Sequence, residues 1–231
     1  MERLQTAPKT IQALYLQQGT DNPEVVRAAK KAGLSFLSLS KQDFSKKSGD
    51  VHAQGVLADV SDFQYAPLEA LLKKEPRPLL FLLDRVTDPQ NLGSILRNSA
   101  CFGNIALVLP KHDSVEVNET VLRVACGGEN HVPVAQVTNL VQAAEQAKKA
   151  GYWIAGADAE NGTPLAHVKW PWPLGIVLGS EGGGIRPGLA KQLDLTVTLP
   201  MPGAPLSFNV AVAAALLGYE ITRLKSGGLI Q

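Results

Sequence analysis

Five consecutive large apolar residues, Leu79–Leu83, follow a charged segment and end at Asp84. A strand with one face in water alternates apolar and polar residues, so an uninterrupted apolar run predicts a strand covered on both faces. Strands of that kind belong to parallel sheets, in which crossover helices cover the two faces. The run therefore restricts the second part of the chain to an α/β fold on a mostly parallel sheet.

The residues after this run repeat the same alternation of strand and helix. Helices are predicted at Leu140–Ala150 and from about Asn209 to Leu224. Alternation of this kind is typical of the α/β class. Further strands are predicted at Ile105–Leu109, Val132–Val137, Trp153–Ala157, Gly175–Leu178 and Leu195–Leu199.

A smaller α/β unit is predicted ahead of the apolar strand. The charged segment Lys73–Pro78 contains two prolines and cannot form regular structure. We therefore expect one domain at residues 1–75 and a larger one at residues 79–231. The smaller unit has predicted strands at Ile11–Leu16, Leu34–Leu39 and Gly55–Val60, and predicted helices at Pro23–Lys31 and Leu68–Lys74.

Charge and composition exclude several classes of protein. The net charge of +1 argues against a nonspecific nucleic-acid coat protein, although it permits a specific RNA enzyme. No apolar run reaches the ~18 residues of a membrane span, and the first residues lack a signal-peptide pattern. Two cysteines, Cys101 and Cys126, are too few for a disulfide framework. We expect a cytoplasmic protein with no membrane partner.

Lysine pairs concentrate in the first part of the chain, at positions 30–31, 46–47 and 73–74. They are either solvated surface residues or contacts for RNA phosphates, and the sequence leaves both interpretations open.

The loop from Asp84 to Arg97 is a polar turn that leads into a helix, and it follows the carboxyl end of a predicted strand. Ligands of open α/β sheets bind beyond those ends. Gly93 and Arg97 lie one helical turn apart, so we expect room beside the guanidinium for a phosphate or nucleotide. The alternative is a capped helix with a surface arginine.

Two later loops have unusual compositions. Residues 179–184 place four glycines around Glu181, which allows a ligand to approach the backbone closely. A plain tight turn is the alternative, and a dinucleotide-binding oxidoreductase is disfavoured because its early glycine motif and ribose-binding acid are missing. Residues 199–209 contain three prolines and form a stiff wall suited to an adenine ring. Ser207 or Asn209 could instead simply cap the final helix.

A metal site is not expected. Cys126 and His131 flank a short glycine-containing loop, but no second pair of ligands accompanies them. Hydrolase elbow and P-loop motifs are also absent from the sequence.

Taken together, the three loops resemble the signature blocks of the SpoU/TrmH branch of the SPOUT-class RNA 2′-O-ribose methyltransferases. The N-terminal unit is similar to the small α/β substrate-binding domain of the large-subunit rRNA members, including the strand entry His52-Ala53-Gln54-Gly55-Val56. The matching residues are Asp88-Pro-x-Asn91-x-Gly93-x-x-x-Arg97, Gly179-x-Glu181-Gly182-x-Gly184, Leu199-Pro200-Met201-x-Gly203 with Ser207-Phe208-Asn209-Val210, and, more weakly, Ala125–Val134.

The resemblance implies a parallel-sheet domain whose C-terminal part forms a trefoil knot. It also implies a homodimer that binds S-adenosylmethionine in the knot loops and acts on structured RNA. By position, the cofactor contacts would be Gly179, Leu199 and Phe208, with Met201 and Gly127 nearby. Phe208 stands where leucine is usual in this family.

The resemblance further implies catalytic residues. The family assigns proton removal from the 2′-hydroxyl to Arg97, but arginine is a poor base because its pKa exceeds ~12. We therefore prefer a role in gripping the adjacent phosphate and stabilising the developing alkoxide. Asn91 and Glu181 would orient Arg97, while Ser207 and Asn209 would shape the pocket. The reaction requires no metal.

The sequence constrains the identity of the RNA substrate less than it constrains the type of reaction. The N-terminal domain favours rRNA, because tRNA members of the family usually carry helical extensions instead. A tRNA methyltransferase, a resistance-type rRNA enzyme and a non-catalytic RNA-binding protein on the same fold remain alternatives, although the retained polar residues count against the last.

Overall fold

The computed structural model describes residues 1–49, 53–159, 161–180, 182–203 and 206–230. These residues divide into two units, Met1–Phe63 and Gln64–Gln231. The division falls earlier than the boundary predicted near residues 75–79, because helix α4 (Leu68–Lys73) packs Leu68, Leu71 and Leu72 into the core of the second unit.

The first unit contains a three-stranded sheet in the order β2-β1-β3. Strand β1 (Ile11–Gln17) pairs in parallel with β2 (Leu37–Leu39) and antiparallel with β3 (Val56–Val60). The His52 position of the predicted strand entry lies outside the described residues. The helices of the first unit are α1 (Glu2–Thr6), α2 (Pro23–Lys31) and α3 (Lys41–Ser48), with a short 3-10 turn at Pro8–Thr10.

Apolar residues from three elements form the core of this unit. They recur on β1 and on the inner face of α2, and Leu4 of α1 joins them. Burial of such side chains drives the helices onto the sheet. The core residues are Leu4, Ile11, Leu14, Leu16, Val25 and Ala29.

The second unit is built on a seven-stranded sheet in which every described pairing is parallel. Strand β4 (Leu79–Leu83) lies in the interior of the sheet, and none of its residues is more than 2% exposed, which confirms the prediction from its apolar run. The strand order is β6-β5-β4-β9-β7-β10-β8. The other strands are β5 (Ile105–Pro110), β6 (Val134–Val137), β7 (Trp153–Ala157), β8 (Thr163–Pro164), β9 (Leu174–Leu178) and β10 (Leu195–Thr198).

Strand β6 begins two residues later than predicted. The amide of Val132 donates to the Gly128 carbonyl at 3.2 Å, and Pro133 has no amide hydrogen to give to a neighbouring strand. The sheet ladder therefore starts at Val134.

Helices cover the sheet of the second unit. Two of them, α5 and α6, pack against each other, and α5 also packs against α9. None of the described helices is long and apolar enough to cross a membrane. Besides α4, the helices are α5 (Pro89–Phe102), α6 (Glu119–Ala125), α7 (Leu140–Lys149), α8 (Pro187–Ala190) and α9 (Val210–Ser226), with 3-10 turns at Gly128–Asn130 and Leu165–His167.

Candidate functional site

A cavity of about 900 Å³ opens at the carboxyl ends of β7, β9 and β10. Because the strands are parallel, these ends meet at one edge of the sheet, where ligands of α/β proteins bind. Of the predicted cofactor-binding residues, Gly179, Leu199, Met201 and Phe208 line the cavity, and Ser207 lines it too. Gly127 is not among the lining residues.

The chain after β9 folds into a tight loop that forms one wall of this cavity. Ser180 and Gly184 exchange backbone hydrogen bonds of 3.2 and 3.1 Å, which close the loop. A Cβ atom at Gly179 would lie 2.3 Å from the Gly184 carbonyl carbon, so a side chain there would displace the backbone. Glu181, which was predicted to orient Arg97, lies outside the described residues.

Asn209 ends the proline-containing loop and connects two helices. Its Oδ1 accepts a hydrogen bond from the Ala211 amide at 2.8 Å, so it is the N-cap of α9. Its Nδ2 donates to Oδ1 of Asn91 at 2.9 Å. Asn91 lies in the first turn of α5, whose N-cap is Asp88. The structure thus brings together two residues that were predicted to belong to one site.

Arg97 lies on α5 with its side chain exposed. Its Nη1 lies 3.6 Å from Sγ of Cys126, the left-handed residue that ends α6. Gly128 packs so closely that a Cβ atom there would lie 2.9 Å from the Cα of Arg97. The Cys126–Gly128 segment therefore fixes the position of Arg97 on the protein surface.

The predicted space between Gly93 and Arg97 is not present. A Cβ atom at Gly93 would lie 2.5 Å from Cβ of Val124 and 2.9 Å from the Val121 carbonyl oxygen. Gly93 therefore allows α6 to pack against α5, and the interpretation that it leaves room for a ligand beside the guanidinium was wrong.

Charge is unevenly distributed around the cavity. Its described lining residues include no lysine, arginine or histidine, and Asp158, after β7, contributes an exposed carboxylate. Oδ1 of Asp158 accepts a hydrogen bond from the Asn161 amide at 2.9 Å. The cavity is therefore suited to a largely apolar ligand that carries positive charge or hydroxyl groups.

Three charged residues near the cavity were not identified as site residues from the sequence. Asp84, at the end of β4, is completely buried and contacts both Arg85 and Arg186. The available signal was a carboxylate placed directly after a buried strand. Its partner Arg186 lies 102 residues away, so the contact depends on the tertiary structure.

Among the described residues, no group of three or more His, Cys, Asp and Glu side chains could hold a metal ion.

The geometry and the sequence matches together define an RNA 2′-O-methyltransferase. A model of the RNA 2′-O ribose methyltransferase substrate-binding domain matches residues 1–66, and a model of the SpoU rRNA methylase family matches residues 78–219. The chain belongs to the SpoU rRNA methylase family.

Relatives and solved structures agree with this assignment. The chain is 37% identical over 227 residues to the 23S rRNA (guanosine-2′-O-)-methyltransferase RlmB of Coxiella burnetii, covering 95% of this chain and 90% of that protein. It shares a fold with the SpoU methyltransferase AviRb of Streptomyces viridochromogenes, with a TM-score of 0.80, 22% identity and coverage of 99% and 90%. It also resembles the TrmH/SpoU tRNA-modifying enzyme of A. aeolicus, with a TM-score of 0.59, 24% identity and coverage of 70% and 83%.

The predicted fold class is therefore confirmed: a parallel-sheet α/β domain of the knotted SPOUT type follows a small α/β substrate-binding domain.

Proposed function

We propose that this enzyme methylates a ribose 2′-hydroxyl of large-subunit rRNA, with S-adenosylmethionine as the methyl donor. The assignment of rRNA as the substrate rests on the share of the chain that each match covers. The sequence match to the 23S rRNA enzyme covers 95% of the chain, and so includes the substrate-binding unit. The structural match to the tRNA-modifying enzyme covers 70% of the chain.

The cavity fits S-adenosylmethionine in size and chemistry. Its volume of about 900 Å³ is within the range of pockets for ligands of this size. Leu178, Leu199 and Phe208 offer apolar surface for an adenine ring, and the loop backbones offer hydrogen-bonding groups. Asp158 suits the ammonium group or the ribose hydroxyls. AviRb was solved in complex with this cofactor.

The bound cofactor supplies an electrophilic methyl group, so the protein mainly aligns the ribose oxygen with it. In this proposal Arg97 binds the phosphate next to the target ribose and stabilises the developing alkoxide, while the hydroxyl proton passes to solvent water. The hydrogen bond between Asn209 and Asn91 holds the start of α5 against α9 and so fixes the helix that carries Arg97. Ser207 shapes the cavity wall, and Glu181 is assigned to the orientation of Arg97.

The enzyme acts as a homodimer in this proposal. Leu206 and Phe208, which line the cavity, are 74% and 42% exposed. Val212 and Leu216 of α9 are 45% and 38% exposed, and they line a groove of about 420 Å³ between α5 and α9. Exposed apolar side chains that line a groove are typical of protein interfaces. Since the described cavity lining has no basic side chain, the partner subunit would supply the arginine.

We assign the dimer to the cytoplasm, in keeping with two cysteines that are both free thiols.

Methyl transfer from radiolabelled S-adenosylmethionine tests the reaction and the substrate together. Purified large-subunit rRNA and tRNA are offered separately, and digested products are examined for 2′-O-methylated nucleosides. Label in rRNA ribose is expected. Label only in tRNA would overturn the substrate, and the absence of both label and cofactor binding would point to a non-catalytic RNA-binding protein.

Analytical ultracentrifugation tests the dimer. Leu216→Glu places a charge in the groove, and we expect a monomer that transfers no methyl groups. Leu229→Glu is the matched control, because Leu229 is 70% exposed and does not line the groove. A Leu216→Glu protein that stays dimeric, or a monomer that remains active, would overturn this part of the proposal.

A further inference from the structure

The buried carboxylate of Asp84 holds the segment that follows the cavity loop. Its Oδ1 accepts from Nε of Arg186 at 2.7 Å, and its Oδ2 accepts from the Arg186 amide at 2.9 Å. Asp84 is 0% exposed and the Arg186 side chain is 39% exposed, so water screens the carboxylate little and the guanidinium more. Arg186 directly follows the loop of residues 179–185, and its Nη1 also approaches Oδ2 of Asp113 at 3.8 Å.

Arg85 holds the same loop at its tip. Its Nη2 donates to the carbonyl oxygens of Gly184 at 3.1 Å and Gly183 at 3.4 Å. Arg85 has a φ of 61°, a left-handed conformation that is unfavourable for a residue with a side chain. A Cβ atom at Gly183 would lie 2.9 Å from Oγ of Ser180 and 3.2 Å from Nη2 of Arg85, so the loop has a glycine where both side chains pack.

From these contacts we infer that Asp84, Arg85 and Arg186 are positioning residues for the cofactor, because they hold the 179–185 loop in the shape that binds it. The inference rests on the proposed function. Gly179, Ser180, Gly182 and Gly184 of this loop line the cavity, so any shift of the loop changes the cavity wall. None of the three charged side chains lines the cavity, which distinguishes them from contact residues.

The test changes each of two residues that contact each other, Arg85 and Gly183. Arg85→Ala removes the guanidinium, and Gly183→Ala adds a methyl group that contacts both Oγ of Ser180 and the guanidinium of Arg85. Binding of S-adenosylmethionine is measured by calorimetry on the full chain, together with thermal melting. We expect each variant to weaken binding about tenfold, the effect of losing one charge-assisted hydrogen bond. We expect the double variant to lose less affinity than the product of the two single losses, because Arg85→Ala removes one of the two side chains that the added methyl group contacts.

Two further readouts separate positioning from general stability. Arg85 is one-third exposed, so we expect its removal to lower the melting temperature by only about 2 °C. At saturating cofactor, kcat should return to within about twofold of wild type, and Arg85→Lys should recover part of the affinity. Arg223→Ala is the control, because it removes an arginine bonded to Glu220 at the far part of α9 and should leave cofactor affinity unchanged.

The possible outcomes distinguish a failure of this inference from a failure of the proposed function. Unchanged affinity in Arg85→Ala, or a double variant whose loss is the product of the two single losses, overturns the inference and leaves the proposed function intact. A wild-type protein that does not bind S-adenosylmethionine overturns the proposed function, and the inference with it.

Discussion

Replacing Asn209 by alanine should cost about 2 kcal/mol of unfolding free energy. The change removes the N-cap bond from the Ala211 amide, at 2.8 Å, and the bond to Oδ1 of Asn91, at 2.9 Å. A helix cap typically contributes about 1 kcal/mol, and a neutral hydrogen bond about 1 kcal/mol. Asn91 is only 9% exposed, so water does not readily replace the lost donor.

Asn209→Ser separates the two contributions. Serine is a good N-cap, but its side chain is too short to reach Asn91 as well, so we expect a loss of about 1 kcal/mol. Asn139→Ala provides a matched cap deletion, since Oδ1 of Asn139 accepts from the amides of Val141 and Gln142 at the start of α7. It should also cost about 1 kcal/mol.

Urea unfolding followed by tryptophan fluorescence measures these differences, because all three tryptophans lie in the second unit. For a unit of this size, 2 kcal/mol corresponds to a decrease of roughly 4–8 °C in Tm. If Asn209→Ser is as unstable as Asn209→Ala, the cap contributes nothing. If serine restores full stability, the bond between the two helices has no energetic value.

Three further changes test separate parts of the molecule. Arg97→Ala should abolish methyl transfer while calorimetry still detects cofactor binding, and near-normal turnover would refute its catalytic role. Gly128→Ala places a methyl group 2.9 Å from the Cα of Arg97, so thermal melting should show a loss of stability and methyl transfer should fall; a protein unchanged in both would refute the close packing. Hydrogen bonds from Tyr15 and Lys47 lower the pKa of Asp59 below its ordinary 3.8, so this stabilisation is present above pH 3.8 and is lost as the pH falls below it. Acid unfolding followed by circular dichroism should therefore be less steep in Asp59→Asn, and an identical profile would contradict the assignment.

Much of the larger unit could be predicted from local pattern. Strands β4 and β7 have the predicted bounds, because strands buried along all of their length, as β4 is, or at their centre, as β7 is, give continuous apolar runs. Helices α3 and α6 were not predicted, although Ser40 and Asn118 cap them through the amides of Asp43 and Val121. Both helices are short, and a short helix shows too few turns of the apolar period to be recognised.

The residues of the site were harder to predict from the local sequence pattern. The cavity-lining residues Gly179, Leu199, Met201 and Phe208 came from resemblance to a family, since glycines and prolines alone also describe an ordinary turn. The role of Gly93 was misjudged because spacing along a helix shows which residues share a face, and it does not show what packs against that face. Contacts between Asp84 and Arg186 follow from the order of strands in the sheet.

The segment from Asp84 to Arg97 contacts the parts of the site assigned to both ligands. Its first residues hold the cavity loop through Arg186, Gly183 and Gly184, and its last residue is the surface arginine proposed to grip RNA. Since Arg97 is proposed to serve the partner subunit's cavity, we expect cofactor binding in one subunit to be coupled through this segment to RNA binding at the partner's cavity.

A turn and helix that join two sites carry coupling when both ligands favour the same arrangement, and the coupling must be reciprocal. Saturating S-adenosylhomocysteine should tighten RNA binding about fivefold, a value at the lower end of typical couplings, and RNA should tighten binding of S-adenosylhomocysteine equally. Arg85→Ala should remove most of this effect while leaving RNA affinity without cofactor unchanged. Fluorescence anisotropy of labelled rRNA fragments measures the RNA affinity with and without S-adenosylhomocysteine. Equal RNA affinity with and without S-adenosylhomocysteine in the wild type would show that the two ends of the segment act independently.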